Sequence, residues 1–181
     1  MIMMLVVPLL SIASSIASSA YIVPRPHGPF GVNFGVASFT DHSRLDPFAS
    51  RPENRSIVVS AFYPVAPVEA CAWRLVPAYP PATAAVFDAE VAFARVPNGE
   101  LEKLKLEICT THNASGRQHE VDPAPGVLFS GGIGLSRLWY SAIAQAVASH
   151  GYTVVTVDHP YDADVVEFPD RKLITAINCP V

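Results

Sequence analysis

The chain has 181 residues, half of them hydrophobic, and a formal net charge of −4 at pH 7. That apolar content excludes a disordered tail. A mildly acidic balance without any run of Lys and Arg excludes a nucleic-acid-binding surface.

Residues 1–20 read as a secretory signal peptide. An apolar run from Ile2 through Leu5–Val6–Val7–Pro8–Leu9–Leu10 gives way to small residues ending Ser18–Ser19–Ala20, a small-x-small cleavage pattern before Tyr21. The strongly apolar part, about ten residues, is too short for a membrane anchor. Residues 21–181 are then the mature domain, with roughly 160 residues to build one core. Export agrees with two glycosylation sequons, Asn54–Arg55–Ser56 and Asn113–Ala114–Ser115. Cys71 and Cys109 are candidates to pair in an oxidising compartment, which leaves Cys179 without a partner.

Tyr21 to Gly31 is rich in Pro and Gly and suits an extended N-terminus. Loose alternation predicts a first strand over Phe30–Phe39, followed by a polar loop from Thr40 to Pro52. Arg55–Tyr63 is a clear strand with apolar residues on both faces, Ile57, Val59 and Ala61 on one and Val58 and Phe62 on the other. Pro64–Pro81 reads as a Pro-rich connection. Pro81 near a first turn and Val86, Phe87, Val91 and Ala94 at helical spacing predict a helix over Ala82–Ala94, stopped by Pro97–Asn98–Gly99. Leu104, Leu106 and Ile108 alternate with Lys103, Lys105 and Glu107, which predicts a strand with one wet face near a sheet edge. Asn113–Pro125 is a polar loop.

Pro125 to Pro160 reads as strand, Gly-rich turn, helix and second strand, a βαβ unit of the kind that builds parallel sheets. Gly126–Ser130 is the first strand. Ser136 is placed to N-cap the helix, whose predicted buried stripe is Leu138, Ala142, Ile143, Ala146 and Val147. His150 and Gly151 close it. The β-branched run Tyr152–Val157 predicts a strand buried on both faces, and one that ends the sheet with a hydrophobic edge. Asp162, Asp164, Glu167 and Asp170 read as a solvated acidic loop.

The turn Gly131–Gly132–Ile133–Gly134 carries the chemistry. Its glycines admit positive φ and close approach, so its N–H groups can be aimed at a phosphate or an oxyanion. For a dinucleotide, Gly132-x-Gly134 precedes a helix and Asp158 follows roughly 24 residues later, where a ribose-binding acid stands. Arg137 occupies the third fingerprint position, where Gly or Ala is needed, so NAD(P) binding is the weaker alternative. For acyl transfer, a backbone N–H of such a loop is one of the two usual oxyanion donors. Ser130, Ser136 and Ser141 lie near Asp158 and His159. Adjacent Asp and His cannot orient one another as a triad requires, however, so Ser136 is read as a cap and His159–Pro160 as the start of a cleft loop. His112, His119, His150 and His159 lack metal-ligand spacing, and no metal or cofactor is predicted.

GPFGV at Gly28–Val32, VVSAFYPV at Val58–Val65 and the long block from Val127 to Asp170 carry a wider resemblance. The chain resembles the platelet-activating-factor acetylhydrolase family of secreted α/β-hydrolase esterases, particularly its fungal members. The resemblance implies the N-terminal portion of an α/β-hydrolase fold, a mostly parallel sheet with flanking helices, incomplete at its C-terminus. It implies a carboxylic ester hydrolase that releases short sn-2 acyl groups such as acetate from phospholipids, with peripheral contact to a lipid surface. The family's donor loop usually reads SHGxG, and Gly131 stands here in place of the histidine. The Ile133 N–H takes the oxyanion-donor role within a loop that includes Gly132 and Gly134. The family's serine, in G-x-S-x-G, and its Asp and His are expected beyond Val181, since Gly134–Leu135–Ser136–Arg137–Leu138 lacks the closing Gly. The 181 residues alone are therefore expected to show little or no activity. The non-enzymatic alternative is a secreted remnant that binds lipid or a protein partner.

Overall fold

The computed structural model describes residues 19–110 and 124–177, so the leader, Asn113 and Cys179 lie outside the described residues. Nine strands and two helices follow in order: β1 (Tyr21–Ile22), β2 (Phe30–Leu45), β3 (Asn54–Pro67), β4 (Ala72–Pro77), α1 (Pro81–Glu90), β5 (Leu104–Thr110), β6 (Gly126–Ser130), α2 (Ser141–Ala148), β7 (Thr153–Asp158), β8 (Val165–Glu167) and β9 (Leu173–Thr175). Short 3₁₀ turns extend α1 over Val91–Ala94 and precede α2 over Arg137–Tyr140.

The main sheet has the order β2-β3-β7-β6. β3 pairs antiparallel with both β2 and β7, and only β7 and β6 run parallel. The sheet is thus mixed, not mostly parallel. Its long β2–β3 hairpin absorbs residues that the sequence reading left to loops: β2 continues to Leu45 and β3 to Pro67. β7 is interior, and the open edge belongs to β6, where Leu128 is 76 % exposed. A second sheet, β1-β5-β4, places β5 in its middle rather than near an edge, and β4 forms within the supposed Pro-rich connection. β8 and β9 make a separate ribbon.

One face of the main sheet is covered along β3 and β7. Val58, Ser60 and Phe62 on β3 pair with Asp158, Thr156 and Val154 on β7, and all six are buried. Ala144 and Ala148 of α2 pack with Val32, Phe62 and Val154, while Ala163, Val166 and Phe168 cover Val58. The opposite face is only partly covered, with Ile57 and Leu128 exposed and Val155 half-buried. A β-branched run therefore marked the strand correctly but not its covering. The buried stripe of α2 is Ser141, Ala144, Gln145 and Ala148, and Ile143 and Val147 face out. Small side chains let the helix approach the sheet closely, and that outweighs the larger residues' apolarity.

A second core joins α1 to the small sheet. Phe87 stacks on Trp139 with ring centroids 4.1 Å apart, and Tyr79 meets Phe87 edge-on at 4.9 Å. Leu106, Leu138 and Val165 complete this cluster. Cys71 and Cys109 are joined by a disulfide, with Cα atoms 5.1 Å apart. The bridge packs with Val65 and Ala66 of β3, at the seam of the two sheets. Closing a separation of 38 residues is worth about 2–4 kcal/mol. Cys71→Ser is expected to lower the unfolding midpoint accordingly, read by denaturant titration, and reduction of the parent chain should reproduce the loss.

Candidate oxyanion site

Ser130 ends β6 and Asp158 ends β7, so the Gly-rich turn and the segment from His159 rise together from the C-terminal ends of two parallel strands. Gly134 takes φ +76°, a left-handed conformation natural to glycine, and Leu135 N donates to Gly132 O at 3.1 Å to close the turn. Three contacts hold it from outside. Tyr140 Oη accepts from Gly132 N at 3.0 Å, Asp164 N donates to Gly134 O at 3.1 Å, and Ser130 Oγ lies 2.8 Å from His159 Nε2. Tyr140 is in turn packed on Phe129 at 4.8 Å between ring centroids. A Cβ at Gly131 would lie 2.9 Å from Tyr140 Cε2, so the glycine at this position gives the tyrosine ring its room.

Among the described residues no acceptor takes the Ile133 N–H, and Ile133 is 87 % exposed. Among the described residues the N–H groups of Gly131 and Gly134 are unused as well, while the Gly132 donor is already spent on Tyr140. A preorganised, unused N–H is what a developing oxyanion requires, because no bond must break before it acts.

Behind the turn lies a buried ion pair. Arg137 is 2 % exposed and Asp158 is fully buried. Arg137 reaches Asp158 through both its backbone N–H and its guanidinium Nη1, and its Nε donates to Ser60 Oγ at 2.9 Å. Ser136 Oγ donates to Asp158 at 3.1 Å and accepts from Leu138 N at 3.4 Å, so the predicted cap serves a 3₁₀ turn and the acid together. Burial pushes the Asp158 carboxyl up and the Arg137 guanidinium down, and the attraction between them opposes both shifts. The donors converging on Asp158 favour its ionised form and work against that burial. This removes the dinucleotide reading: Asp158 is enclosed and committed to Arg137, so it cannot meet a ribose. It also separates the neighbours in the sequence. Asp158 points into the core and the exposed His159 meets Ser130, so no described carboxylate completes a triad with that pair.

Of the supposed solvated carboxylates, Asp162 and Asp170 are exposed, but Asp164 and Glu167 are structural. Asp164 Oδ2 accepts from Trp139 Nε1 at 3.1 Å, and Glu167 Oε2 accepts from Thr83 N and Oγ1 at 3.1 and 3.0 Å at the start of α1. Partial burial, followed by the charge and hydrogen bond of Asp164, raises the Glu90 carboxyl to about 7. Glu90 remains exposed, so water screens part of this repulsion. A raised native value favours the neutral form: stabilisation is complete below the ordinary 4.5 and is lost as pH rises through about 7. Melting temperature should fall over that window, and Glu90→Gln should flatten the fall, as a pH series of thermal melts would show.

A cavity of about 610 Å³ is lined by residues including Phe34, Val36, Leu138, Phe168 and Arg137, with none of Ser130–Gly134 in its wall. It is therefore separate from the turn. Tyr140, Arg137 with Asp158, and Glu90 with Asp164 were absent from the predicted site. The one local signal for any of them was a pair of opposite charges inside an otherwise apolar βαβ unit.

A βαβ unit whose first turn offers an unused N–H, set in this mixed sheet, places the chain in the α/β-hydrolase class as a partial fold. The family model described as platelet-activating factor acetylhydrolase, isoform II, matches residues 16–168, and the chain belongs to that family. It is 38 % identical to a probable 1-alkyl-2-acetylglycerophosphocholine esterase of Arthroderma benhamiae, covering 91 % of this chain and 43 % of that protein. A ferulic acid esterase from Streptomyces cinnamoneus superposes with a TM-score of 0.68 at 26 % identity, covering 90 % of this chain and 43 % of that one. The chain thus spans less than half the length of these relatives.

Proposed function

We propose that this chain supplies the oxyanion loop of a secreted carboxylic ester hydrolase that releases short sn-2 acyl groups, acetate foremost, from phospholipids. The observation that carries the reading is the unused Ile133 N–H in a turn held at Ser130, Gly132 and Gly134. The name of the Arthroderma benhamiae relative supports the substrate class. A serine would attack the ester carbonyl with histidine as base, and the Ile133 N–H would stabilise the tetrahedral oxyanion. No G-x-S-x-G occurs in residues 1–181, so these residues alone are expected to give no ester turnover. Exposed Ile133 and Leu135 offer apolar contact to an acyl tail or a lipid surface. Export is supported by the apolar leader and by the Cys71–Cys109 bridge, which suits an oxidising compartment. Asn54, exposed on β3, and Asn113 are the proposed glycan acceptors.

The test is Ile133→Pro, which deletes the N–H, in a protein carrying this chain together with the serine-bearing segment. Loss of one oxyanion donor should lower kcat on p-nitrophenyl acetate by about 10²–10³-fold with KM little changed. Unchanged kcat, or robust turnover by residues 1–181 alone, would count against the reading.

A further inference from the structure

The end of the main sheet that carries the Gly-rich turn also brings a serine and a histidine together. Ser130 is the last residue of β6, His159 follows directly on β7, and the pairing of Ser130 with Val157 sets these two ends side by side. Ser130 Oγ and His159 Nε2 lie 2.8 Å apart. That is within the reach of about 2.6–3.2 Å at which a base takes the proton of a hydroxyl nucleophile. Both residues are exposed, so the pair is open to a molecule arriving from solution.

Neither partner is free to drift. The His159 carbonyl accepts from Asp162 N at 3.1 Å and from Ala163 N at 2.9 Å, and Asp164 N ties the same segment to Gly134 O at 3.1 Å. Ser130 is held in the β6–β7 ladder. The chain passes from this serine straight into the turn, whose Ile133 and Gly134 N–H groups have no acceptor among the described residues. Exposed Ile133 and Leu135 add apolar surface beside them. A nucleophile, a base and oxyanion donors thus come from one short stretch and the strand end next to it. What the pair lacks is a carboxylate behind the ring. Among the described residues nothing bonds His159 Nδ1, and Asp158 is turned into the core toward Arg137.

We propose that Ser130, with His159 as its base, is a second nucleophile of this chain, distinct from the serine expected in G-x-S-x-G, and that it takes the acyl group of an activated aryl ester. Ser130 Oγ attacks the carbonyl carbon while its proton passes to His159 Nε2. The unused N–H groups of the turn receive the charge that develops on the carbonyl oxygen. The adduct then collapses: the bond from carbon to the aryl oxygen breaks, and the aryloxide leaves and collects the proton from His159. One ester and one serine hydroxyl become one acyl-serine and one phenol, and nothing else is consumed. An aryl ester fits because its leaving group departs as a stable anion and asks little of the imidazolium. Release of the acyl group is slow. It requires His159 to activate water, and losing the carboxylate that orients such a ring costs about 10⁴-fold in a full triad. The chain is therefore acylated once without turning over, in keeping with the absence of ester turnover expected of residues 1–181.

The experiment is to mix the 181-residue chain with p-nitrophenyl acetate, follow release of nitrophenolate, and locate the acetyl group by peptide mass spectrometry. A burst of about one equivalent is expected, with the acetyl group on Ser130. Ser130→Ala should abolish the burst. His159→Gln keeps a side chain able to bond the Ser130 hydroxyl but removes the base, so labelling should slow by about 10²-fold or more while the turn stays held. Both positions are exposed, so neither change threatens the fold, and thermal melts matching the parent chain would check it. An unmodified Ser130, acetyl groups confined to other residues, or labelling at an unchanged rate in His159→Gln would overturn the second nucleophile and leave the bond as a clasp on the turn. This outcome is separate from the hydrolase reading, which stands or falls on kcat of the serine-bearing protein with Ile133→Pro.

Discussion

Asp158→Asn is expected to destabilise the chain by about 3–5 kcal/mol, because it leaves the Arg137 guanidinium buried without its counter-charge. The side chains involved are 2 % and 0 % exposed, so water cannot take over the lost interaction. Ser136 and the Arg137 N–H would also lose their ionised acceptor. Arg137→Met should cost about as much, by stranding the carboxylate instead. The double replacement Arg137→Met with Asp158→Leu should recover most of the loss, since neither charge then remains to be solvated. Urea unfolding of the singles and the double forms the required cycle. Additive losses would mean that the two residues stabilise the chain independently and that the pair is not the unit holding the turn's base.

The second large effect is expected at two glycines of the GPFGV motif. A Cβ at Gly31 would lie 1.9 Å from Cys71 Sγ and 2.6 Å from Cys109 Cβ, and one at Gly28 would lie 2.2 Å from the Ser149 carbonyl oxygen. Neither neighbour can swing away: one is a cross-link, the other main chain that accepts from Phe30 N at 3.0 Å. Gly31→Ala must shift β2 or prevent the bridge, so its cost should exceed the roughly 2–4 kcal/mol of losing the bridge alone. Gly28→Ala should cost about 3 kcal/mol, a fall in Tm of about 6–12 °C. Gly35 supplies the control. It lies on the same strand with nothing within 4 Å of its Cβ position, so Gly35→Ala should stay within about 0.5 kcal/mol. Calorimetry on the three variants decides it, and equal losses at Gly31 and Gly35 would refute the steric account.

These glycines show how far the sequence could be read. GPFGV was recognisable as a family motif, but its reason lies in Ser149 and Cys109, which come from distant parts of the chain. Strands fared well where alternation or β-branching is local, as at Ile57–Phe62 and Thr153–Val157. Their neighbours did not, because which strand lies beside which is decided by tertiary packing: β7 was read as the sheet's edge and lies inside it. The face of α2 was misassigned because apolarity favours Ile143 and Val147, whereas close approach to the sheet favours Ala144 and Ala148. Asp164 and Glu167 looked solvated like their exposed neighbours because their partners are remote, Thr83 standing 84 residues before Glu167. The Gly-rich turn was legible because conformational freedom is written in residue type. Its supports at Tyr140, Asp164 and His159 were not, since nothing local ties them to it.

Those supports belong to different elements: the 3₁₀ turn before α2, the segment after β7, and the contact between the ends of β6 and β7. The turn has one closing bond of its own, from Leu135 N to Gly132 O, and takes its other supports from elsewhere. A peptide spanning Gly126–Tyr140 would carry Ile133 and every glycine of the turn, yet it would lack Asp164 and His159 and leave the donor free to wander. The donor is in register only when all of these contacts are in place. Partial melting of the segment from His159 to Asp164 should silence it well before the main sheet gives way.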